Sequence, residues 1–262
     1  MDAARSKGVI ADLFDRWNGK PILVLGGGPS VSKDLPALAL TPACVISAND
    51  HGKHQTRFPV DIFVNCDKIH CMLKVPMESI LRPLGGLIVN RHSWADYRLA
   101  EWQFSGNSGL TAIAVAAALG GDPVLVTGID MWKEGRIYFH DTDPAVVPRR
   151  RRFVKPAVTR RDRDVLRPLK AFVAGANVRP LSGPLTEAFP KFDPGEVLPA
   201  PRPVDYRRRM QRAAWETHTL PSGYRFGNQD VLRAATAFKM TAHEIARFGA
   251  KRPQLQRPAK VR

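Results

Sequence analysis

Three clusters of small and polar residues in the first 145 positions have the types that nucleotide chemistry needs. The first is Gly26-Gly27-Gly28-Pro29-Ser30, directly after the apolar run Ile22 to Leu25. Glycines let a backbone come close to a phosphate, and Ser30 stands where it can cap a helix whose free N–H groups face an anion. No Gly-Lys-Ser/Thr follows, so this is not a Walker A loop. Val31 stands where a dinucleotide fingerprint has its third glycine. The same five residues also suit a tight turn that binds nothing. The second cluster is Asn49 and Asp50, Asn65 and Asp67, and Asn90, each set following a short apolar run. Amides in such places read a base or a ribose, and carboxylates hold a sugar hydroxyl or a metal. Asp67 and Asp130 are the candidates for a magnesium ion in phosphoryl chemistry. Asn and Asp also simply start turns. The third cluster is Asn107-Ser108-Gly109, ahead of an alanine-rich run, with Gly128-Ile129-Asp130 downstream. It offers a second anion site of the same kind.

These residues need a scaffold that brings them to one edge, and the apolar runs supply it. Ile22 to Leu25, Cys44 to Ser47, Asp61 to Asn65, Leu87 to Asn90 and Val124 to Thr127 are short, largely β-branched and bounded by Gly, Pro, Asn or Asp. Each reads as a buried strand. Uninterrupted apolar strands separated by crossovers predict an α/β fold, a Rossmann-like and mostly parallel sheet with helices on both faces. In such sheets ligands bind outside the C-terminal ends of the strands, where all three clusters fall. Leu110 to Leu119 reads as a helix, stopped by Gly120 and Gly121, with Pro123 opening the next strand.

The chain carries 40 Lys+Arg and 24 Asp+Glu, of which 14 and 15 lie between Met1 and Ala145. The remaining 26 and 9 make the rest of the chain strongly basic. That asymmetry predicts contact with phosphate, of nucleic acid or of a membrane surface, or else a solubilising tail. Candidate nucleic-acid contacts are Arg149, Arg150, Arg151 and Arg152, then Arg207, Arg208 and Arg209, and Lys239, Arg247, Lys251 and Arg252. Val165 to Ala174 reads as helical and Asn177 to Leu181 as a last edge strand. Seven prolines between Pro180 and Pro203 predict an extended linker. The expected division is a nucleotide-binding domain over 1–195 and a basic, proline-linked helical extension over 196–262. Tyr206 to Trp215 and Gln229 to Gly249 read as helices in that extension. Within Asp230 to Gly249, the spacing of Ala235, Lys239 and Ile245, with Thr241 and Glu244 as a capping box, fits a helix-turn-helix. It fits a plain helical hairpin as well.

A composition of 44% hydrophobic and 24% charged residues excludes wholesale disorder and collagen-like repeats. Ala112 to Leu119 is the longest apolar stretch, far short of the roughly 20 residues that span a bilayer. No signal peptide is visible. Cys44, Cys66 and Cys71 lack zinc-ligand spacing and predict reduced packing thiols in a cytoplasm.

The run Ser108 to Asp141, with the opening Val24 to Val31 and the Asn49 segment, resembles the bacterial family-42 sialyltransferases. It also resembles the related MptE-like group (pterin diphosphokinase-like) and its phage members, over roughly residues 20 to 180. The resemblance implies a Rossmann-like nucleotide-binding domain and a transferase that uses a CMP-sugar or another nucleotide. It implies that Gly28, Ser30, Asn49, Asn65, Ser108, Gly109 and Asp130 line the nucleotide and that Tyr138 steadies the leaving phosphate. The chain departs from the family pattern in having Val158-Thr159-Arg160-Arg161 where the sialyltransferases carry a catalytic histidine, and Trp132 in place of a second tyrosine. His140, with the Asp141 carboxylate to orient it, is then the candidate general base. His51, His54, His70 and His92 rank behind it. The expected function is a nucleotide-dependent glycosyltransferase, with phage DNA as one acceptor. An MptE-like pyrophosphokinase and a catalytically silent DNA-binding protein are the alternatives.

Overall fold

The computed structural model describes residues 8–9, 13, 16–68, 70, 73, 75–90, 92–98, 107–130, 138–140, 169–170, 173, 175–194 and 196. They form one eight-stranded sheet: β1 (Gly8–Val9), β2 (Ile22–Leu25), β3 (Cys44–Ala48), β4 (Ile62–Val64), β5 (Leu87–Asn90), β6 (Tyr97–Arg98), β7 (Val124–Thr127) and β8 (Val178–Pro180). The strand order is β1-β6-β5-β4-β3-β2-β7-β8. Every neighbouring pair is parallel. β2 lies between β3 and β7, with Ile22 opposite Cys44 of β3 on one side and Val124 of β7 on the other. After β2 the chain builds outward through β3, β4 and β5. It then crosses back to place β7 on the opposite flank of β2. The C-terminal ends of β2 and β7 are therefore the switch point of the sheet.

Strand periodicity divides the core between the two faces. Ile22 and Val24, with Ile46, Ile62, Val64, Val124 and Val126, pack under α3 (Ser108–Ala118). Ten of the eleven residues of α3 are buried, so it is a core helix without a polar face. Its alanines allow the close approach to the sheet, and Gly120, at φ +84°, ends its last turn. Leu23, Leu25, Val45 and Leu125 point the other way, onto Val31 and Leu35 of α1 (Val31–Ala37). Phe63 and Ile88 meet Met77 and Leu81 of the short α2 (Met77–Leu81). The parallel, two-sided α/β architecture expected from the apolar runs is thus present.

The proline-rich stretch departs from expectation over its first half. Residues 181–194 do not form a linker. Leu181, Leu185, Phe189 and Phe192 are buried against both faces near the β8 edge. The Phe192 N–H donates to Pro180 O at 2.9 Å, and Arg179 pairs with Glu196. The prolines remove backbone donors without removing these four apolar anchors, so the segment folds down and shields an otherwise open edge. Leu169 and Lys170 are helical and Val173 lies in the core, within the expected helix 165–174. The expected helices 206–215 and 229–249, the helix-turn-helix and all the candidate nucleic-acid residues lie outside the described residues. No helix among the described residues is long and apolar enough to cross a membrane.

Candidate functional site

At the switch point, the glycine-rich loop after β2 faces the loop after β7, and the two are tied by four hydrogen bonds. Gly26 N–H donates to Thr127 O at 2.8 Å and Gly28 N–H to Gly128 O at 2.7 Å. Gly128 N–H donates to Ser30 Oγ at 2.9 Å, and Ser30 N–H to Asp130 Oδ2 at 2.8 Å. Ser30 does precede α1, as its type predicts, but its hydroxyl holds the β7 loop and makes no cap to the helix. The Asp130 carboxylate occupies the place at the head of α1 where a phosphate oxygen would accept N–H groups. A Cβ on Gly28 would lie 2.2 Å from Asp130 Oδ2, and one on Gly26 would lie 2.3 Å from Gly128 O. These glycines therefore serve loop-on-loop packing. In this structure the N–H groups of Gly26, Gly28 and Ser30 go to Thr127 O, Gly128 O and the Asp130 carboxylate.

Gly27 plays a different part. Its carbonyl accepts from Phe139 N–H at 2.8 Å, which docks the segment 138–140 against the loop. A Cβ there would come within 2.6 Å of both His51 Cε1 and Tyr138 Cδ1. The absent side chain leaves room for a group of four rings. His51 Nδ1 and His140 Nε2 are 3.2 Å apart and hydrogen-bonded. The His54 ring stacks on His140 with centroids 3.7 Å apart, and Tyr138 packs on His51 at 4.4 Å. Asp141, the expected partner of His140, lies outside the described residues. The partner found is His51, which is 8% exposed. Its signal in the sequence is His51-Gly-Lys-His54, separated from β3 by two residues, on a single 3-10 turn from which both rings reach His140. That turn begins after Asp50. Burial works to raise the Asp50 carboxyl. The hydrogen bond and charge of Lys53, 2.5 Å away, with the nearby His51 and His70, prevail and hold it below the usual aspartate value.

Beyond β3 the strand ends carry a ladder of amides. Asn90 Nδ2 donates to Asn65 Oδ1 at 2.7 Å, and Asn65 Nδ2 donates to Asn49 Oδ1 at 2.6 Å. Parallel register places these three residues side by side at the ends of β5, β4 and β3. Asn49 adopts φ +55°, a left-handed conformation that asparagine tolerates, and this turns its amide across the strand ends. Asn65 and Asn90 are fully buried. Asn49 is half-buried, and its Nδ2 ends the ladder without a partner among the described residues. The head of α3 stands over the end of β4. Cys66 N–H donates to Ser108 Oγ at 3.1 Å, while Asn107 Oδ1 caps the helix by accepting from Leu110 N–H at 3.0 Å. The amides of Ser108 and Gly109 make no hydrogen bond among the described residues.

The structure thus brings Asn49, Asn65, Ser108, Gly109 and Gly27 to the same edge as Tyr138 and His140, while Asp130 closes the neighbouring loop pair. Asp67 is exposed after β4, and no three side chains of metal-ligating type converge among the described residues. Cys44 and Cys66 are buried. Burial, then the Asp61 carboxylate, pushes the Cys44 thiol far above its usual value, so it packs as an inert group.

The open parallel sheet, its helices on both faces and the polar strand ends define an α/β protein of Rossmann-like architecture. Among known proteins, no family model, no characterised protein and no solved structure matches the chain.

Proposed function

We propose that the polar edge over β3, β4 and β5 binds a nucleotide, and that the protein is a nucleotide-dependent transferase acting on a nucleotide-sugar donor of the CMP-sugar type. The observation that carries this reading is the Asn49–Asn65–Asn90 ladder beneath the head of α3. Two buried amides are ordered by each other, so the third presents donors in a fixed direction, suited to a base or ribose. The Ser108 and Gly109 amides supply the matching place for phosphate. In the reaction the bond from the sugar to the donor phosphate breaks and a bond to an acceptor oxygen forms. His140 takes the acceptor proton, and Tyr138 contacts the leaving phosphate. The resemblance to family-42 sialyltransferases supports the donor class. The basic character of the chain beyond Ala145 supports nucleic acid as acceptor. No step in this reading requires a metal ion.

Thermal and chemical denaturation in the presence of CMP, UDP, GDP, ADP and their sugar conjugates tests it. At 100 times Kd the matching nucleotide stabilises the fold by about 2.7 kcal/mol. Asn49→Asp keeps the oxygen that accepts from Asn65 and a side chain that tolerates the left-handed backbone, removes the outward amide donor, and abolishes most of that shift while leaving the unliganded stability within about 1 kcal/mol. A magnesium-dependent shift with ATP alone would turn the reading to a pyrophosphokinase. No shift with any nucleotide would overturn it.

A further inference from the structure

The imidazole pair at the mouth of β3 supports an inference that does not depend on the nucleotide or its identity. His51 and His140 are 89 residues apart in sequence and come from different elements. Their Nδ1 and Nε2 atoms nevertheless meet at 3.2 Å with hydrogen-bond geometry. Two neutral imidazoles can form that bond, because one ring offers an N–H and the other a lone pair. One added proton strengthens it, since the donor becomes cationic. A second proton breaks it, because two N–H groups then face each other and two positive charges sit at contact distance. The rings cannot turn away easily. His140 stacks on His54 at 3.7 Å and on Tyr138 at 5.4 Å, both within 15° of parallel. His51 is buried between Tyr138 and Gly27, where any side chain on the glycine would collide with it.

We infer that His51 and His140 form a single acid–base unit that takes up one proton and shares the resulting charge across the hydrogen bond between His51 Nδ1 and His140 Nε2. On uptake a second N–H bond forms on one of the two rings and the proton donor loses its bond to that proton. The pair passes from neutral to a monocation whose Nδ1–Nε2 hydrogen bond is kept. His51 is a positioning residue in this unit.

The charged and titratable groups that face the pair among the described residues agree with one proton and oppose two. On the pair's own turn, Asp50 is ionised and favours the monocation, while Lys53 beside it and His54 disfavour further charge. His70, from the segment after β4, also acts on Asp50. The segment 138–140 contributes Tyr138, and the Gly26–Ser30 loop contributes no ionisable side chain.

The test is a pH titration of the full chain labelled with ¹⁵N-histidine, read by two-bond ¹⁵N–¹H correlation from about pH 5 to about pH 9, across the histidine range. Resonances of both rings are expected to move together in two steps separated by more than about one pH unit, the mark of a coupled pair. His51→Gln leaves His140 with a single ordinary step. His140→Gln does the same for His51, so the test survives if one variant folds poorly. Independent single steps for the two rings in the wild-type chain would overturn the inference. So would resonances that shift as a pair only on addition of zinc, which would mean that the two nitrogens are held by a metal and not by a proton.

Discussion

Two neighbouring stretches of the same sheet edge treat their polar groups in opposite ways. At the switch point between β2 and β7, four hydrogen bonds tie Gly26, Gly28, Ser30, Gly128 and Asp130 together with Thr127, and the loop backbones touch. One strand further along, Asn49, Asn65 and Asn90 satisfy one another only partly. They leave an amide and two helix N–H groups without partners among the described residues. A glycine-rich loop at the head of a helix is the commonest signature of phosphate binding, yet here it is the closed region. Glycine permits close approach by any partner, and in this chain the partner is another loop. The comparison teaches that glycines in such a loop do not by themselves leave N–H groups open, whereas the head of a helix does. Here that helix is α3.

The closed region should be the more fragile of the two. Gly26→Ala puts a methyl 2.3 Å from Gly128 O and 2.7 Å from its carbonyl carbon, backbone atoms that cannot rotate away. The loops must separate, which breaks the hydrogen bonds that tie them. A loss of more than about 3 kcal/mol, read by urea denaturation, is expected. A variant within about 1 kcal/mol of wild type would show that the loops have room between them, and would return this place to the list of phosphate sites.

Asp130→Ala probes the same closure more gently. It removes the acceptor of the buried Ser30 N–H and leaves space in place of the carboxylate. The expected cost is about 1–3 kcal/mol, the range for a buried donor without its partner. Asp130→Asn keeps an oxygen in reach and should cost less. Inorganic phosphate gives the sharper reading. If the Asp130 carboxylate stands in for an anion, the Ala variant gains stability from added phosphate that the wild-type chain does not.

The sheet centre was legible because its strands are buried on both faces, so Ile22 to Leu25 and Val124 to Thr127 form unbroken β-branched or leucine runs. Ser108 to Ala118 was legible because few residues besides alanine allow a helix to lie so close to a sheet. The strands β1 and β6 at one end of the sheet, of two residues each, are too short to carry any period. α1 was expected only as whatever followed Ser30, since Pro36 inside it breaks the helical pattern. In the candidate site, Asn49, Asn65 and Asn90 were legible from strand ends alone. Their mutual hydrogen bonds depend on register between strands, which no local pattern encodes. The inward turn of Asp130 and the meeting of His51 with His140 join residues 100 and 89 positions apart. Residue type announced both chemistries, but only the fold could pair them.

The open region carries the smallest expected effect, and it lies in the support of the imidazole pair. Asp50 is buried, and Lys53 at 2.5 Å with its side chain 31% exposed is the main group holding the carboxyl below its ordinary value. A depressed carboxyl binds its proton less readily in the folded chain than in the unfolded one. Its contribution to stability is therefore complete above the ordinary aspartate value of about 3.9 and lost as pH falls below it, through the lowered folded value. Lys53→Met keeps the length of the side chain and removes its charge. At neutral pH it should cost about 0.5–1 kcal/mol, the scale of an ion pair partly open to solvent. The difference from wild type should stay level down to about pH 5, shrink below about pH 4 and vanish once Asp50 is protonated in both states. Urea denaturation at pH 7 and near pH 3 separates the cases. A cost that persists unchanged at the lower pH would come from packing of the lysine stem, and Asp50 would then lose its part in placing a negative charge beside the histidines.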